Sequence, residues 1–294
     1  MEETAMFTGQ DPDAIQRQYA DDNYLRVMQD THDQYSSPAI DFPNWVLDRC
    51  GLRGDEHLLD VGAGAGRYYQ PLLARYPSLH YTALDISPGM MTGLSAVQRI
   101  AADAAALPFA SGTFDVILAN HMLYHLPNIA SGLRETQRIL KPDGLLVAST
   151  NSAGTMPQLV ELMRRGILLL SKPGTPLTQM PPPPHITFSL ENGAQQMARH
   201  FYAVVRHDLP GTLVFPDTDS TLRYLETWRP MREPQLPAGV KWDDLLLVVR
   251  DQVNRIIKLF GQLAVEKVSG VLIATQSGGF IRGYRQQMQM TPSK

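Results

Sequence analysis

The chain has 294 residues, 26 Lys and Arg against 29 Asp and Glu, and a 44% apolar share. A net charge of −3 gives no blanket attraction to phosphate backbones or anionic membranes, and the apolar share is enough for one large domain or two smaller ones. The single cysteine, Cys50, excludes an intrachain disulfide, and apolar stretches such as Ile167 to Leu170 fall far short of the roughly 20 residues that span a bilayer.

The opening stretch, MEETAMFTGQDPD, is acidic and polar and reads as no secretory signal, which together with the lone cysteine suits the cytoplasm. From Asp13 to Tyr35 the chain is polar, with Tyr24, Leu25, Met28, His32 and Tyr35 at helical spacing, and Ser36-Ser37-Pro38 ends that pattern. Phe42 to Cys50 reads as a short helix with Gly51 just past its end. Strands and helices then alternate. His57 to Val61 is a buried strand, Arg67 to Tyr76 a helix stopped by Pro77, and His80 to Asp85 a second strand. Pro88 to Val97 reads as a helix with Ser87 as N-cap, and Arg99 to Ala102 as a short third strand. Phe114 to Ala119 is the fourth strand and Ile129 to Leu140 a helix; after the turn Lys141-Pro142-Asp143-Gly144, Leu145 to Thr150 is the fifth strand. Such repeated strand–helix units imply a parallel sheet covered on both faces.

Beyond Thr150 the regularity fades. Gln158 to Leu170 and Ser189 to Phe201 read as helices, and Tyr202 to Asp208 as a sixth strand. Thr218 to Trp228 and Asp243 to Lys267 read as helices, and Gly270 to Thr275 as the last strand. The six prolines of the segment Lys172 to Pro184 make it an extended loop, read either as a lid strap or as a contact in a homodimer. The expected architecture is α/β: a doubly wound, Rossmann-like, seven-stranded, mostly parallel sheet with a helical cap. Residues 1–40 are the N-terminal cap and 41–150 the nucleotide-binding core. Residues 151–294 return strands to the sheet and add a helical lid.

The strongest local signal is Asp60-Val61-Gly62-Ala63-Gly64-Ala65-Gly66, between the first strand and the helix that follows it. Glycines there let the backbone turn sharply and let a ligand touch the main chain. The dinucleotide fingerprint G-x-G-x-x-G would need its third glycine at Arg67, so that fit fails. An acidic residue followed by G-x-G-x-G instead resembles the first motif of class I S-adenosylmethionine-dependent methyltransferases. Three further features extend the resemblance across residues 57 to 150: Asp85 at the end of the second strand, Asp103 before Leu107-Pro108-Phe109 and Phe114-Asp115, and Leu140-Lys141-Pro142-Asp143-Gly144.

The resemblance implies S-adenosylmethionine as cofactor and methyl transfer to a small-molecule acceptor at oxygen, nitrogen or carbon, in secondary metabolism, by in-line displacement. It implies a cofactor set of Arg26, Asp60, Gly62, Ala63, Gly64, Arg67, Asp85, Ile86, Met90, Asp103, Ala104, Asn120, His121 and His125. Within that set Asp60 suits a cationic amino group, and Asp85 can accept both ribose hydroxyls because a carboxylate offers two acceptor oxygens. Ile86 can stack on adenine, Asp103 can take its exocyclic amine, the Ala104 N–H can meet a ring nitrogen, and Arg26 can pair with the methionine carboxylate. His121 is the candidate general base, with an ordinary pKa near 6.5; Tyr24 and His32 are further catalytic candidates, and His32 can line the acceptor pocket. Tyr19, Tyr24, Tyr68 and Tyr124 are candidates for cation–π contact with the sulfonium.

The absence of N-P-P-Y or D-P-P-Y at Asn120 to Leu123 lowers the expectation of a nucleic-acid acceptor. No metal is expected, because no His, Cys and Asp cluster has ligand spacing. Two alternatives stay open at this level: an oxidoreductase using a nicotinamide dinucleotide, and a catalytically silent S-adenosylmethionine-binding protein.

Overall fold

A computed structural model describes residues 23–94, 97–172 and 183–277. In chain order these form α1 (Asn23–Tyr35), β1 (Ser36–Ser37), α2 (Phe42–Leu47), β2 (His57–Val61), α3 (Tyr69–Arg75), β3 (His80–Asp85), β4 (Gln98–Ala101) and β5 (Phe114–Leu118). They continue with α4 (Ile129–Ile139), β6 (Leu140–Asn151), α5 (Pro157–Leu170), α6 (Gly193–Met197), β7 (Ala203–Phe215), α7 (Thr218–Glu226), α8 (Arg229–Arg232), α9 (Trp242–Phe260) and β8 (Leu263–Thr275). Hydrogen-bonded neighbours run β1-β7-β8-β6-β5-β2-β3-β4, a mostly parallel α/β sheet of eight strands against the seven expected. The extra strand is the two-residue β1, antiparallel to β7 at Ser36 opposite Leu213, where the sequence showed only a break.

The chain divides into two compact units. One comprises residues 42–151, 187–208 and 270–294 and contains the glycine loop. Here β2 pairs with β3 and β5, β3 with β4, and β5 with β6, all in parallel register. Because strand side chains alternate faces, each strand feeds two cores. Leu59, Ile117, Leu146 and Leu272 pack on one side with α4 residues Ile129 and Leu133. Leu58, Val116, Val147 and Ile273 pack on the other with Val46, Leu47 and Leu72. Burial on both faces explains why these strands read as continuous apolar runs. The chain leaves β2 toward β3 and β4, then returns to the opposite side of β2 as β5. This reversal opens a crevice at the carboxyl ends of β2 and β5, the usual ligand position in such sheets.

The other unit comprises residues 1–41, 152–186 and 209–269. Its core is a helix face: Leu159, Leu162, Met163 and Ile167 of α5 pack with Trp242, Leu245, Val249 and Val253 of α9, and with Leu213, Phe215 and Val265. The spacing of three and four residues along both helices is what one buried stripe requires. Asp217 caps α7 by accepting the Ser220 N–H at 2.7 Å.

Several expected boundaries move, each for a local reason. The helix expected over Pro88 to Val97 is a 3-10 turn at Pro88–Met91, and Ser87 supplies no side-chain cap. Residues 95–96 at its far end lie outside the described residues, as do Tyr19 and most of the proline loop, 173–182. The helix expected from Arg67 begins at Tyr69, because residues 64–68 are taken up by turns. Strand β6 starts at Leu140, not Leu145: Phe114 pairs with Leu140 but Val116 with Leu145, so Lys141 to Gly144 form a bulge inside one strand. Of the helix expected over Ser189 to Phe201 only Gly193–Met197 is α-helical, and Ser189 is not its cap. Strand β7 extends the expected Tyr202 to Asp208 as far as Phe215. Helix α9 ends at Phe260 rather than Lys267, because Gly261 takes the left-handed conformation (φ 78°) and β8 follows from Leu263.

Candidate functional site

The glycine loop is built by its backbone. Gly62, Gly64 and Gly66 all have positive φ (69°, 53° and 79°), a region that L side chains rarely enter. Gly62 is also crowded, since an added Cβ would lie 2.8 Å from Cβ of Met122. The Gly62 and Ala63 N–H groups both donate to the Leu84 carbonyl, at 2.8 and 3.0 Å, which ties the loop to the end of β3. Arg67 is half-buried on the turn that follows.

Asp85 is the second tie. Its Oδ2 accepts the Gly64 N–H at 2.9 Å and its Oδ1 accepts the Ser87 N–H at 2.9 Å. The carboxylate is thereby fixed in orientation with one backbone donor on each oxygen, and each oxygen keeps a lone pair for another donor. Next to it Ile86 is 71% exposed, an apolar side chain turned out beside a polar anchor, while Met90 is buried.

Asp60 lies behind the loop at 2% exposure. Its Oδ2 accepts a 2.7 Å hydrogen bond from the Tyr81 hydroxyl. Burial pushes the carboxyl up to about 7, against the pull of Tyr81 and with a further push from the Asp85 charge. Tyr81 was not singled out in the sequence. It reaches Asp60 because β2 and β3 align Leu58 with Tyr81 and Asp60 with Ala83, which puts Tyr81 and Asp60 on one face, and that register is not written in either strand alone.

At the end of β4, Asp103 is exposed and its Oδ1 accepts the Ala105 N–H at 2.8 Å, while Ala104 is buried. The Leu107-Pro108-Phe109 stretch is held from α4: Arg138 donates to the carbonyls of Leu107 and Phe109, and Glu135 accepts the Leu107 N–H. Its part in the site is to fix the loop that carries Asp103.

Past β5, Asn120 has both side-chain amide atoms buried with no hydrogen-bond partner among the described residues. A buried amide left unmatched costs about 1–3 kcal/mol, which marks a place where a polar ligand group belongs. His121 follows with φ 52°, one of two non-glycine residues with positive φ among the described residues. Its N–H donates to the Ser149 carbonyl at 3.0 Å, and its ring lies 5.5 Å from that of Phe42. His125 is pushed down to about 3, by burial and then by the His121 charge, so it is neutral through the physiological range. Tyr68 and Tyr124 are buried in the cores of this unit.

The loop, Asp60, Asp85, Ile86, Met90, Asp103, Ala104, Asn120, His121 and His125 thus line the carboxyl edge of four adjacent strands in one unit. Tyr24, Arg26 and His32 belong to α1 in the other unit, where Arg26 is exposed and Tyr24 and His32 are half-buried. Among the described residues no group of His, Cys, Asp and Glu is arranged to hold a metal ion, and no helix is long and apolar enough to cross a membrane.

Residues 59–148 match the family model of the methyltransferase domain. Curated relatives include the malonyl-[acyl-carrier protein] O-methyltransferase of Dechloromonas aromatica, 34% identical over 104 residues that cover 35% of this chain and 39% of the relative. The protein of the same name from Geobacter sulfurreducens is 29% identical over 174 residues, covering 56% and 63%. The chain therefore spans less than two thirds of the length of these relatives. Among solved structures, a protein classed as an antibiotic-biosynthesis methyltransferase in Anabaena variabilis aligns with a TM-score of 0.56 at 14% identity, over 80% of this chain and 96% of that one. A phosphoethanolamine N-methyltransferase of Haemonchus contortus, solved with S-adenosylhomocysteine, aligns with a TM-score of 0.53 at 13% identity, over 90% and 60%. At these identities the likeness is one of fold.

Proposed function

We propose that this chain, whose residues 59–148 match the methyltransferase domain, is a class I enzyme that moves the methyl group of S-adenosylmethionine to an oxygen of a small-molecule acceptor. The observation that carries the reading is the unmatched Asn120 amide, buried at the same strand edge as the three-glycine loop and the anchored Asp85. These are the features an adenosyl amino acid needs. The Asp85 oxygens receive the two ribose hydroxyls, Ile86 covers one face of the adenine, and Asp103 with the Ala104 N–H meets its polar edge. Gly62, Ala63 and Gly64 let the main chain approach the amino-acid part, and Asp60, whose raised pKa marks an unbalanced buried carboxyl, receives the cationic amino group on the cofactor's arrival. Arg67, Met90, Asn120 and His125 complete the wall.

Bound there, the cofactor supplies a methyl group on a sulfonium, which leaves by in-line displacement. The chain's task is to position and desolvate the partners. His121 is assigned as the base that holds the acceptor's proton; its neighbour His125 is neutral and so offers a hydrogen bond without competing for that proton. Oxygen is preferred over nitrogen and carbon because both curated relatives described above carry O-methyltransferase in their names. The single, buried Cys50, its thiol pushed up to about 12 by burial, suits a reducing compartment such as the cytoplasm.

Calorimetric titration with S-adenosylhomocysteine tests the cofactor site: micromolar binding that weakens at least tenfold in Asp85→Ala is expected, and no binding overturns the reading. A transfer assay with labelled cofactor and a panel of hydroxyl and carboxyl acceptors tests the rest. Tight product binding with no transfer to any acceptor would make the chain a silent cofactor-binding protein.

A further inference from the structure

In the unit formed by residues 42–151, 187–208 and 270–294, four polar side chains gather on one face of the sheet. Leu58, Leu118 and Val147 all belong to the core that contains Val46, Leu47 and Leu72. Strand side chains alternate faces, so Asp60, Asn120 and Ser149, each two residues further along, turn toward that same side. Register sets them close together. Asp60 pairs with Leu118 and Leu118 with Val147. The Ala119 N–H then donates to the Val147 carbonyl and the His121 N–H to the Ser149 carbonyl, which brings Asn120 abreast of Ser149. Tyr68, from the turn before α3, packs into the same core. Asp60, Tyr68 and Ser149 are 2%, 5% and 1% exposed. The Tyr68 hydroxyl, the Ser149 hydroxyl and both amide atoms of Asn120 are buried without a hydrogen-bond partner among the described residues. Native chains match nearly all such groups, so three unmatched neighbours call for one explanation.

The donor and acceptor inventory supplies it. Burial pushes the Tyr68 phenol up, the Asp60 charge pushes it further, and the Ser149 hydroxyl pulls it back. The two hydroxyls therefore lie near one another, although they do not close a well-formed bond. Hydroxyl dipoles orient in the local field, and the charge that acts most strongly on Tyr68 is that of Asp60. The phenol proton turns toward that anion, which leaves the phenol lone pairs for the Ser149 proton. Ser149 Oγ, its proton given away, is then only an acceptor. Of the two ends of the Asn120 amide only the nitrogen can meet an acceptor. Asn120 Oδ1 is left facing the other way, as a second acceptor at the strand edge above Asp60. Two acceptors there suit a cationic N–H group. A flipped amide would present its own N–H donors to that cation instead.

We propose that Ser149 and Tyr68 are positioning residues that fix the Asn120 amide with its oxygen toward the cofactor's ammonium group, Asn120 Nδ2 donating to Ser149 Oγ and Ser149 donating to the Tyr68 oxygen. This rests on the methyltransferase reading above and adds the two residues, beneath the site, that make it select an amino-bearing ligand.

The full-length protein is titrated by calorimetry with S-adenosylhomocysteine and with its deaminated analogue, in which hydrogen replaces the α-amino group. The wild type binds the amino ligand tenfold or more tightly than the analogue. Ser149→Ala and Tyr68→Phe each reduce that preference about fivefold, the worth of one hydrogen bond, by weakening the amino ligand and leaving the analogue unchanged. In an Asn120→Ala background Ser149→Ala makes no further difference, as required of a residue that acts through the amide. Ser149→Thr and Ser149→Val differ only by a hydroxyl against a methyl group: the threonine variant keeps the preference and the valine variant loses it, which decides the matter should Ser149→Ala or Tyr68→Phe not fold. Equal weakening of both ligands, an unchanged preference in the Ser149 and Tyr68 variants, or a full Ser149→Ala effect without the Asn120 amide overturns the assignment and leaves the methyltransferase reading intact. A wild type that binds both ligands equally does the same. Failure of the wild type to bind S-adenosylhomocysteine overturns both.

Discussion

The Tyr81 hydroxyl donates to Oδ2 of Asp60 at 2.7 Å, and Asp60 is 2% exposed with its carboxyl raised from 3.8 to about 7. A carboxyl raised by folding holds its proton in the native chain at pH values where the unfolded chain has released it. Its contribution to folding is therefore fully present below 3.8 and is lost as pH rises through about 7. A bound ammonium group reverses the preference, since it favours the carboxylate. Cofactor binding then expels a proton, and affinity falls as pH drops below about 7, approaching tenfold per pH unit. Titrations with S-adenosylhomocysteine between about pH 5.5 and 8.5, in buffers of different ionisation enthalpy, read both the slope and the released proton. Asp60→Asn flattens the slope. Tyr81→Phe removes a bond that favours the charged form, so the break moves to higher pH. A flat profile in the wild type would disconnect Asp60 from the cofactor.

Asn120 should separate stability from binding. Its amide atoms lack partners among the described residues, so truncation removes a penalty rather than an interaction. Asn120→Ala is expected to leave the ligand-free melting temperature unchanged or raised, by up to about 1–3 kcal/mol of stability, less whatever packing is lost. The same change should lower affinity for S-adenosylhomocysteine by about tenfold, the worth of one buried hydrogen bond. Thermal melts with and without the ligand measure both signs at once. A variant that loses ligand-free stability and keeps full affinity would make Asn120 a packing residue.

Asp85 should show no such separation. Each oxygen accepts a backbone N–H, from Gly64 and from Ser87, so the carboxylate organises the loop before any ligand arrives. Asp85→Asn can keep one of the two bonds, because an amide has one acceptor oxygen. It is expected to cost about 1–3 kcal/mol of stability and to weaken the cofactor product at least tenfold. Denaturant melts and calorimetry on the same variant test the pairing of the two losses; intact stability would mean that the loop keeps its shape without Asp85.

The part of the fold that could be read from residues alone is the part where burial is two-sided and turns are punctuated by glycine or proline. Strands β2 and β5 stand out as largely apolar, and the loop after β2 announces itself through Gly62, Gly64 and Gly66. The stretch Leu263 to Lys267 misleads because its apolar positions suit a continuing helix as well as a strand; only Gly261 in the left-handed region separates the two. Ser87 looks like a cap because it precedes a proline, yet its N–H is drawn back to Asp85 Oδ1, and the turn closes before a helix can propagate. Tyr81 at Asp60, Met122 against Gly62 and the pairing of Tyr224 with Met156 all depend on strand register or on contacts between distant segments. No local pattern encodes them.

The loop glycines offer the last prediction, through a comparison with Gly112. Gly62, Gly66 and Gly112 share positive φ (69°, 79° and 66°), so alanine brings the same backbone strain to each, about 1 kcal/mol. They differ in what the new methyl group meets. At Gly112 nothing lies within 4 Å. At Gly66 the methyl would sit 2.3 Å from Cδ2 of Leu94, the end of a side chain that can rotate away at some cost to a packed core. At Gly62 it would sit 2.8 Å from Cβ of Met122, an atom fixed to the backbone next to His121, so the loop itself must shift. Gly112→Ala is therefore expected to cost about 1 kcal/mol, and Gly66→Ala and Gly62→Ala about 2–4 kcal/mol each. Urea midpoints measure the order. Affinity for S-adenosylhomocysteine divides the last two: Gly62→Ala loses most of it, and Gly66→Ala keeps more, because Leu94 can absorb the change away from the loop. Equal midpoints for all three variants would show that backbone strain alone, and not the crowding at Leu94 and Met122, sets the demand for glycine there.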